Sequence, residues 1–422
     1  MKALQGVDGQ VAWVEEPSPT CDVGQVRIRV AAAGLNRADL LQKAGLYPPP
    51  PGASQVLGLE CSGVISEVGA GSAWQVGDRV CALLAGGGMA EEVVVDGRHV
   101  LPVPEGVSLI EAAALPEVYA TVWLNVFQLA ALKPGEKVLL HAGASGIGSA
   151  AIQLCKAFGN PCWVSVGSAE RLAYCEALGA QGGVLRTDDL ESLRDFGPFN
   201  VILDPVGGNY SALNLKLMAL DGRWVLIGLM GGREAKLDLA QVLAKRVQLL
   251  GSTLRSRDDQ FKADLLSDLG QQVWPLFAEG RLSPQLAKAF AVKDAEAAFA
   301  ELAKEHSDEP ASAQRGGDNG YLPLAQLVPA MRTVVGKMTT GQISDPIVQA
   351  AGIHILQLTD TREESGGFRC IPELFEHFAA WRAQAAADRN PWRPDLDTPG
   401  AVPWPPRFIP MQAGDLLIFN SL

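Results

Sequence analysis

The stretch VLLHAGASGIGSAAIQL, residues 138–154, decides the fold of this chain. Its first four residues are typical of a buried strand and its last six are typical of a helix. A glycine-rich GxxGxG turn between a strand and a helix lets backbone N–H groups approach a pyrophosphate, whose charge the helix N-terminus stabilises. The stretch therefore predicts a dinucleotide-binding loop. The expected contact residues are Gly143, Ala144, Ser145, Gly146, Ile147 and Gly148.

The end of the next apolar strand, residues 162–166, indicates which dinucleotide binds. NAD enzymes usually place an acidic residue there, where it binds the ribose 2′-hydroxyl. This chain instead continues with GSAER, residues 167–171, in which Ser168 and Arg171 can bind a 2′-phosphate through a hydroxyl and a guanidinium. Glu170 falls where a first helical turn favours a carboxylate. We expect NADPH rather than NADH, with a merely solvated Arg171 as the alternative.

The surroundings of this loop indicate the fold class. Apolar strands at 138–141, 162–166, 201–204 and 224–228 alternate with helical stretches, which predicts a parallel sheet covered by helices on both faces. Residues 1 to 120 instead show short β-rich runs between Gly and Pro turns, as in a small mixed β domain. Amphipathic helix returns over residues 260–304.

Composition excludes several classes of partner. The chain has 422 residues and a formal charge of −12, which argues against nucleic acid or an anionic membrane as the main partner. No apolar run reaches membrane-spanning length, and the start MKALQG lacks signal-peptide features. The seven cysteines are scattered without a CxxC pair, so neither a disulfide framework nor a structural zinc site is expected. A cytoplasmic protein is the expectation.

Further segments carry a family resemblance that covers residues 1–304. They are AAGLNRADLLQ (32–42), YPPPPGAS (47–54), LGLECSG (57–63), LDGRWV (220–225), GLMGG (228–232) and TLRSRD (253–258). With the glycine loop, these segments resemble the quinone oxidoreductase branch of the medium-chain dehydrogenase/reductase superfamily, in particular the p53-inducible NADPH type. The resemblance implies an α/β fold: a GroES-like β-rich catalytic domain (1–120 and 255–304), a Rossmann doubly wound parallel sheet (121–254) that binds NADPH, and an atypical C-terminal extension.

The resemblance also bears on metal chemistry. The superfamily's alcohol dehydrogenases hold a catalytic zinc with two Cys and the His of a Gly-His-Glu motif. Here Asn36 lies where the first Cys is expected, Leu59 replaces the His, and the four-Cys lobe is absent. Without thiolate or imidazole ligands no zinc site is predicted. A zinc-free hydride donor suits a quinone, which delocalises charge over its ring, and an α,β-unsaturated carbonyl is the second candidate acceptor.

The resemblance implies roles for individual residues. Tyr47 and Asn36 are expected beside the nicotinamide and the acceptor, and Asp39 is expected to fix Asn36 and its loop. In the alternative interpretation, the Tyr-Pro run is simply a rigid loop. The remaining residues expected at the cofactor are Thr121 near the nicotinamide, Gly228, Leu229 and Met230 along its pocket, and Arg186 near the adenosine phosphate. A homodimer is expected, with residues 248–254 as the pairing edge strand.

The tail resembles two other families in part. Residues 303–364 resemble the C-terminal half of a parvulin-type peptidyl-prolyl isomerase through SAQRGGDNGY (312–321), GQISDP (341–346) and GIHILQL (352–358). The first strand of that domain, with its active-site His, is missing, so His354 alone is not expected to catalyse. Residues 365–422 resemble phytanoyl-CoA-type dioxygenases, but the chain has no HxD pair and no iron site is predicted. His377 is expected to be a surface or packing residue.

These patterns predict an NADPH-dependent quinone reductase that is a chimera at its C-terminus. Three alternatives remain open: an NADPH-dependent enone reductase, a non-catalytic NADPH-binding protein, and an isomerase-like binding module in residues 305–364. The sequence leaves open whether residues 305–422 fold. Residues 351–358 are also a candidate for the terminal strand that the reductase lacks, since an unpaired edge would favour aggregation.

Overall fold

The computed structural model describes residues 1–7, 10–187, 190–306, 318–323, 337, 347–349, 352–362 and 415–421. The chain divides into two compact units, Met1–Leu302 and Ala303–Leu422. The boundary lies close to Lys304, where the composition of the sequence changes.

The N-terminal part of the first unit is antiparallel. Its strands are β1 (Lys2–Val7), β2 (Gln10–Glu15), β3 (Gln25–Ala33), β4 (Glu60–Val68), β5 (Arg79–Leu83), β6 (Glu92–Asp96) and β7 (Val100–Pro102). β1 and β2 form a hairpin, and the others form a five-stranded sheet in the order β6-β3-β4-β5-β7. Val26 and Ile28 alternate with more exposed neighbours along β3 and pack into the core. The β-rich first domain that the sequence predicts is confirmed.

A parallel sheet forms the other half of this unit. Its strands are β8 (Val138–His141), β9 (Cys162–Val166), β10 (Gly183–Leu185), β11 (Phe199–Asp204), β12 (Met218–Leu226) and β13 (Gln248–Gly251). Their order is β10-β9-β8-β11-β12-β13, with every neighbouring pair parallel. This is the Rossmann order, in which the direction of winding reverses between the first and fourth strands, here β8 and β11. The predicted fold class is confirmed.

The helices pack against the β1–β2 hairpin, the antiparallel sheet and the parallel sheet. They are α1 (Arg37–Lys43), α2 (Leu109–Ala112), α3 (Pro116–Val122), α4 (Gly146–Ala157), α5 (Ala169–Leu178), α6 (Ser211–Leu217), α7 (Leu239–Lys245), α8 (Asp259–Gln272), α9 (Pro275–Ala278) and α10 (Ala295–His306). A π-helix, Trp123–Leu129, directly continues α3. Short 3-10 turns occur at Gly97–His99, Leu190–Asp195, Gly208–Tyr210 and Val292–Asp294.

The helical stretch expected over residues 260–304 is interrupted, which corrects that expectation. Residues 279–291 are not helical. Gly280 adopts a φ of +69°, which ends α9, and Pro284 lacks the N–H that a helix interior requires.

One hydrophobic core holds α3 between the sheet and α8. The Tyr119 ring packs edge-on against Trp274 and Phe277, with ring centroids 6.4 and 5.1 Å away. Val138 and Leu140 of β8 belong to the same buried cluster. Because aromatic rings at these distances pack in defined orientations, α3 is fixed along its buried face. This matters for the site, since α3 lies between the two domains.

The second unit contains one antiparallel sheet. Its strands are β14 (Asp318–Pro323), β15 (Ile347–Gln349), β16 (Gly352–Arg362) and β17 (Asp415–Ser421), in the order β14-β17-β16-β15. β17 comes from the segment that resembles dioxygenases and pairs with two strands of the isomerase-like segment. The idea that residues 351–358 replace a reductase strand is therefore wrong, because β16 pairs with β15 and β17 instead. Cys370, His377 and the motif at 366–372 lie outside the described residues.

Candidate active site

The glycine-rich loop joins β8 to α4 at the carboxyl edge of the parallel sheet. Ser145 is the N-cap of α4, and its Oγ accepts a hydrogen bond of 3.1 Å from the Gly148 N–H. The other N–H groups of the first helical turn have no intrahelical partner, so they are available to an anion. The structure thus brings residues 143–148 together beside the point where β8 and β11 diverge, which is where dinucleotides bind in such sheets.

The three glycines of the loop differ in what surrounds them. A Cβ atom on Gly143 would lie 2.5 Å from the Val164 Cβ, and one on Gly148 would collide with the Gly143 carbonyl oxygen. A Cβ atom on Gly146 would meet only the Val118 Cγ1, at 3.2 Å. Gly143 and Gly148 therefore permit close packing inside the loop, while Gly146 faces α3.

We expect Gly148→Ala to lower the free energy of unfolding by about 2 kcal/mol, because the added methyl group must displace a backbone carbonyl. Gly251→Ala is a suitable control, since nothing lies within 4 Å of a Cβ atom at that position. Chemical denaturation of both variants measures the difference. Equal stabilities for the two variants would contradict the packing role.

A buried polar network fixes the carboxyl ends of three strands. His141 contacts the Ser165 Oγ through Nδ1 and the Asn214 Oδ1 through Nε2, both at 2.8 Å. The Asn214 amide donates in turn to an Asp204 carboxylate oxygen at 2.8 Å. Because the amide oxygen of Asn214 faces His141, Nε2 carries the hydrogen, and in a neutral imidazole the Ser165 hydroxyl can donate to Nδ1. Burial also lowers the His141 pKa, which favours the same state.

The same network positions the loop after β12. The Asp204 carboxylate accepts hydrogen bonds from the N–H groups of Val206 and Gly207, at 2.7 and 2.9 Å. The turn after β11 is hydrogen-bonded to the loop after β12, because the Met230 N–H donates to the Pro205 carbonyl at 3.2 Å. A Cβ atom on Gly228 would lie 2.6 Å from that carbonyl oxygen. The stretch Gly228–Met230 is thereby held at the carboxyl edge of the sheet, on which the glycine loop also lies.

The tip of β9 gathers the residues expected at a 2′-phosphate. Ser168 is the N-cap of α5 and accepts a hydrogen bond of 3.3 Å from the Arg171 N–H. The Arg186 N–H donates to the Val166 carbonyl at 2.7 Å, and its Nη2 lies 3.0 Å from the Cβ position of Gly167. The Ser168 hydroxyl, the backbone of Arg171 in the first turn of α5 and the Arg186 guanidinium therefore lie close together at the end of β9.

Asn36 and Asp39 are joined at the start of α1. The Asn36 backbone N–H donates to one Asp39 carboxylate oxygen at 2.8 Å, and the Gly58 N–H donates to the other at 2.9 Å. The Asn36 side-chain amide donates to the Glu60 Oε1 at 2.8 Å. Asp39 is completely buried, and burial raises its pKa to about 6. Asp39 thus ties the Asn36 backbone to the loop at Gly58.

Tyr47 lies against Arg255, a residue that the sequence analysis did not single out. The Arg255 guanidinium is 5.1 Å from the Tyr47 ring centre and donates to the Tyr47 carbonyl at 3.2 Å. It also donates to the Ala85 carbonyl at 2.9 Å and to the Gln42 Oε1 at 2.6 Å. Arg255 therefore holds the Tyr-Pro loop in place from a segment distant in sequence. The sequence signal that could have identified Arg255 is its position in TLRSRD (253–258), one of the segments that carry the family resemblance.

The sequence analysis also did not identify two further carboxyl groups at the site, Glu60 and Glu117. The Glu60 side chain is only 2% exposed, and its Oε2 accepts from the Glu117 backbone N–H at 2.9 Å. Burial raises the Glu60 pKa to about 7 and the Glu117 pKa to about 8. The signal was an acidic residue inside each of two apolar runs, LGLECSG and ALPEVYA. Glu60, Glu117 and Asp39 form a carboxyl cluster, in which Glu60 and Asp39 are buried and Glu117 is half-buried.

The raised pKa of Glu117 predicts how stability depends on pH. The folded pKa is about 8 and the ordinary value 4.5, so the unfolded state loses this proton first as pH rises. Between these two pH values, the free energy of unfolding of the wild type therefore falls as pH rises. Relative to the wild type, Glu117→Gln should therefore become more stable between about pH 5 and about pH 8, by about 1 kcal/mol or more.

Chemical denaturation at several pH values measures this trend. Glu111→Gln is the control: its hydrogen bonds to Ser108 lower the Glu111 pKa, so its effect should not change within that window. A difference between Glu117→Gln and the wild type that does not vary with pH would contradict the assignment.

Thr121 lies on α3, is 8% exposed, and its carbonyl accepts from the Asn125 amide at 2.8 Å. Its place near a nicotinamide stays a prediction. Over the described residues, no group of three or more His, Cys, Asp or Glu side chains is arranged to hold a metal. No described helix is both long and apolar enough to span a bilayer.

Three family models match the chain. They are the alcohol dehydrogenase GroES-like domain over residues 22–105, the zinc-binding dehydrogenase over 146–269, and the PPIC-type PPIASE domain over 277–360. The third begins earlier than residue 303, where the sequence analysis begins the isomerase-like segment. The resemblance of residues 365–422 to dioxygenases stays a prediction.

Among proteins of similar sequence is quinone oxidoreductase-like protein 2 from Bos taurus, 31% identical over 303 residues, which are 70% of this chain and 86% of that protein. Among solved structures, the quinone oxidoreductase of Thermus thermophilus, solved also with NADPH, is 32% identical with a TM-score of 0.61, covering 71% of this chain and 95% of that one. CurK enoyl reductase is 29% identical with a TM-score of 0.63, covering 72% and 96%. The chain spans about half the length of several other curated relatives.

Proposed function

The chain belongs to the medium-chain dehydrogenase/reductase superfamily, with quinone oxidoreductases among its homologues, and from this we propose that it is a cytoplasmic NADPH-dependent quinone reductase. The observation that carries the proposal is a continuous path across one unit. The Cβ position of Gly146 in the dinucleotide loop lies beside Val118. The backbone N–H of the adjacent Glu117 donates to the Glu60 carboxylate, which also accepts from the Asn36 side-chain amide. The cofactor loop and the acceptor candidates therefore meet at the start of α3.

The residues present fit NADPH. Gly143 and Gly148 permit the tight packing of the loop against Val164 and against its own backbone. The N–H groups at the start of α4 would then face a pyrophosphate, whose charge the helix N-terminus stabilises. Ser168, Arg171 and Arg186 would hold the 2′-phosphate through charge-assisted hydrogen bonds. When bound, NADPH supplies a hydride. The stretch Gly228–Met230 and Thr121 would border the nicotinamide.

The acceptor would lie against Asn36 and Tyr47. Beyond the bond to Glu60, the Asn36 amide has a second N–H, which can donate to a quinone oxygen and orient it. The position expected to hold a zinc-binding His is Leu59, which is 2% exposed in the core. A quinone spreads negative charge over its ring, so its reduction does not require a Lewis acid. We propose zinc-independent turnover, which should survive dialysis against a chelator.

An α,β-unsaturated carbonyl is the second candidate acceptor, favoured by the similarity to CurK enoyl reductase. Turnover of 1,2- and 1,4-quinones and of enones, measured with NADPH and the full-length chain, separates the two. Higher kcat/KM for quinones supports the proposal. Turnover of enones alone would replace it, and tight NADPH binding without turnover of either class would indicate a binding protein.

We further propose a homodimer that forms through β13. This strand is an edge of the parallel sheet, and Leu249 on it is 51% exposed. Leu239 and Leu243 on α7 are 73% and 81% exposed. An apolar, unpaired edge of this kind can pair with its own copy about a twofold axis.

Leu249→Asp should shift the protein from dimer to monomer in sedimentation velocity. Val292→Asp is the matched control, because Val292 is 57% exposed and lies on the turn before α10, a helix that contacts β2 and α1 rather than β13. A dimer that persists in Leu249→Asp, or a monomeric wild type, would contradict pairing through β13.

A further inference from the structure

The start of α3 stands between the cofactor loop and the acceptor residues. The Glu117 N–H donates to the Glu60 Oε2 at 2.9 Å, which ties this turn to the Asn36–Glu60 pair. The next residue, Val118, places its Cγ1 3.2 Å from the Cβ position of Gly146. Glu117 is therefore connected on one side to the residues expected at the acceptor and on the other to those expected at the cofactor.

The carboxyl cluster holds more acids than bases. Burial raises the pKa of Glu117 most; the neighbouring Glu60 of β4 and Asp39 of α1 raise it further, and Arg255 and Lys262 lower it. Tyr47, on the loop after α1, is a further titratable group near it. Three carboxyl groups opposite two cations retain a proton if the buried charges are to balance. The pKa of Glu117, raised to about 8, is the highest of the three.

Of the three acids, Glu117 is the one able to give its proton away. Both carboxylate oxygens of Glu60 and of Asp39 already accept hydrogen bonds from N–H groups. Both side chains are also fully buried. Glu117 is half-buried, and among the contacts of the described residues none fixes its carboxyl.

We propose that Glu117 is the general acid that protonates the acceptor as it is reduced. This inference rests on the proposed function. The carboxyl O–H bond of Glu117 breaks, and a new O–H bond forms on the acceptor oxygen that gains negative charge. The two electrons come with the hydride of NADPH, which is oxidised to NADP⁺. Glu117, left as a carboxylate, regains a proton from solvent.

Glu117→Gln is the test, with Glu105→Gln as the matched control because Glu105 is an exposed carboxylate on the same domain. In the wild type, kcat/KM for a quinone should fall as pH rises through about 8. In Glu117→Gln that fall should vanish, and the rate at pH 7 should drop by about 100-fold. Glu117→Asp should restore a pH-dependent profile. Unchanged NADPH affinity shows that each variant is folded.

An infrared titration of the cofactor-free protein gives an independent readout. A carbonyl band of a protonated carboxyl should disappear as pH passes about 8, and this band should be missing in Glu117→Gln but not in Glu105→Gln. The band of Glu60, whose pKa is about 7, should disappear at lower pH and should remain in both variants. A Glu117→Gln enzyme with the wild-type pH profile, or a wild type without that band, would overturn the inference and leave the quinone reductase standing. A wild type that oxidises no NADPH with any quinone would overturn the proposed function and the inference with it.

Discussion

Replacing Arg171 and Arg186 together by alanine should weaken NADPH binding by about 100-fold, because each guanidinium that contacts a phosphate contributes about 1.5 kcal/mol or more. Binding of NADH should change by less than about twofold, since NADH lacks the 2′-phosphate. Arg171 lies in the first turn of α5 and Arg186 directly follows β10, and the backbone of each lies next to the carboxyl end of β9. Titration of the protein with each cofactor measures both constants.

Arg194→Ala is the control for charge alone, because Arg194 is paired with Glu191 on the same domain and its side chain is 52% exposed. It should leave NADPH binding almost unchanged. An equal loss for NADPH and NADH in the double variant would place these arginines elsewhere than at the 2′-phosphate.

Replacing Arg255 by methionine should lower the free energy of unfolding by about 3 kcal/mol or more. Arg255 is 5% exposed, and its loss leaves the carbonyls of Ala85 and Tyr47 without that donor. It also removes a positive charge opposite the carboxyl cluster. Chemical denaturation at neutral pH measures the change.

Arg257→Met is the matched control, because Arg257 stacks on Phe261 at 4.6 Å and, within the described part of the chain, donates one hydrogen bond, to the Thr253 carbonyl. Its replacement should cost well under about 1 kcal/mol. Similar losses for the two variants would contradict the view that Arg255 fixes the Tyr47 loop.

The features that sequence could predict are those set by local chemistry. The strands at 138–141 and 162–166 have the predicted bounds, because each is a short apolar run between turn residues. The glycine loop is also predictable from local chemistry. Neighbouring atoms leave no room for a side chain at Gly143 or Gly148, so only glycine fits there. The fold class follows from these elements and their alternation.

The carboxyl cluster could not be predicted in the same way. Glu60 and Glu117 are 57 residues apart and meet only because β4 and α3 pack together. Their raised pKa values come from burial, which depends on that packing rather than on either local sequence. The pairing of β17 with β14 and β16 is likewise non-local, so sequence similarity assigned these strands to separate segments.

The central claim is that this chain reduces quinones with NADPH. The most direct measurement is NADPH oxidation by the purified full-length chain with a 1,4-quinone, run beside NADH under the same conditions. We predict rapid oxidation of NADPH and a kcat/KM at least about tenfold lower with NADH, because NADH lacks the 2′-phosphate that Arg171 and Arg186 would bind. Saturable NADPH binding without quinone-dependent oxidation would contradict the account.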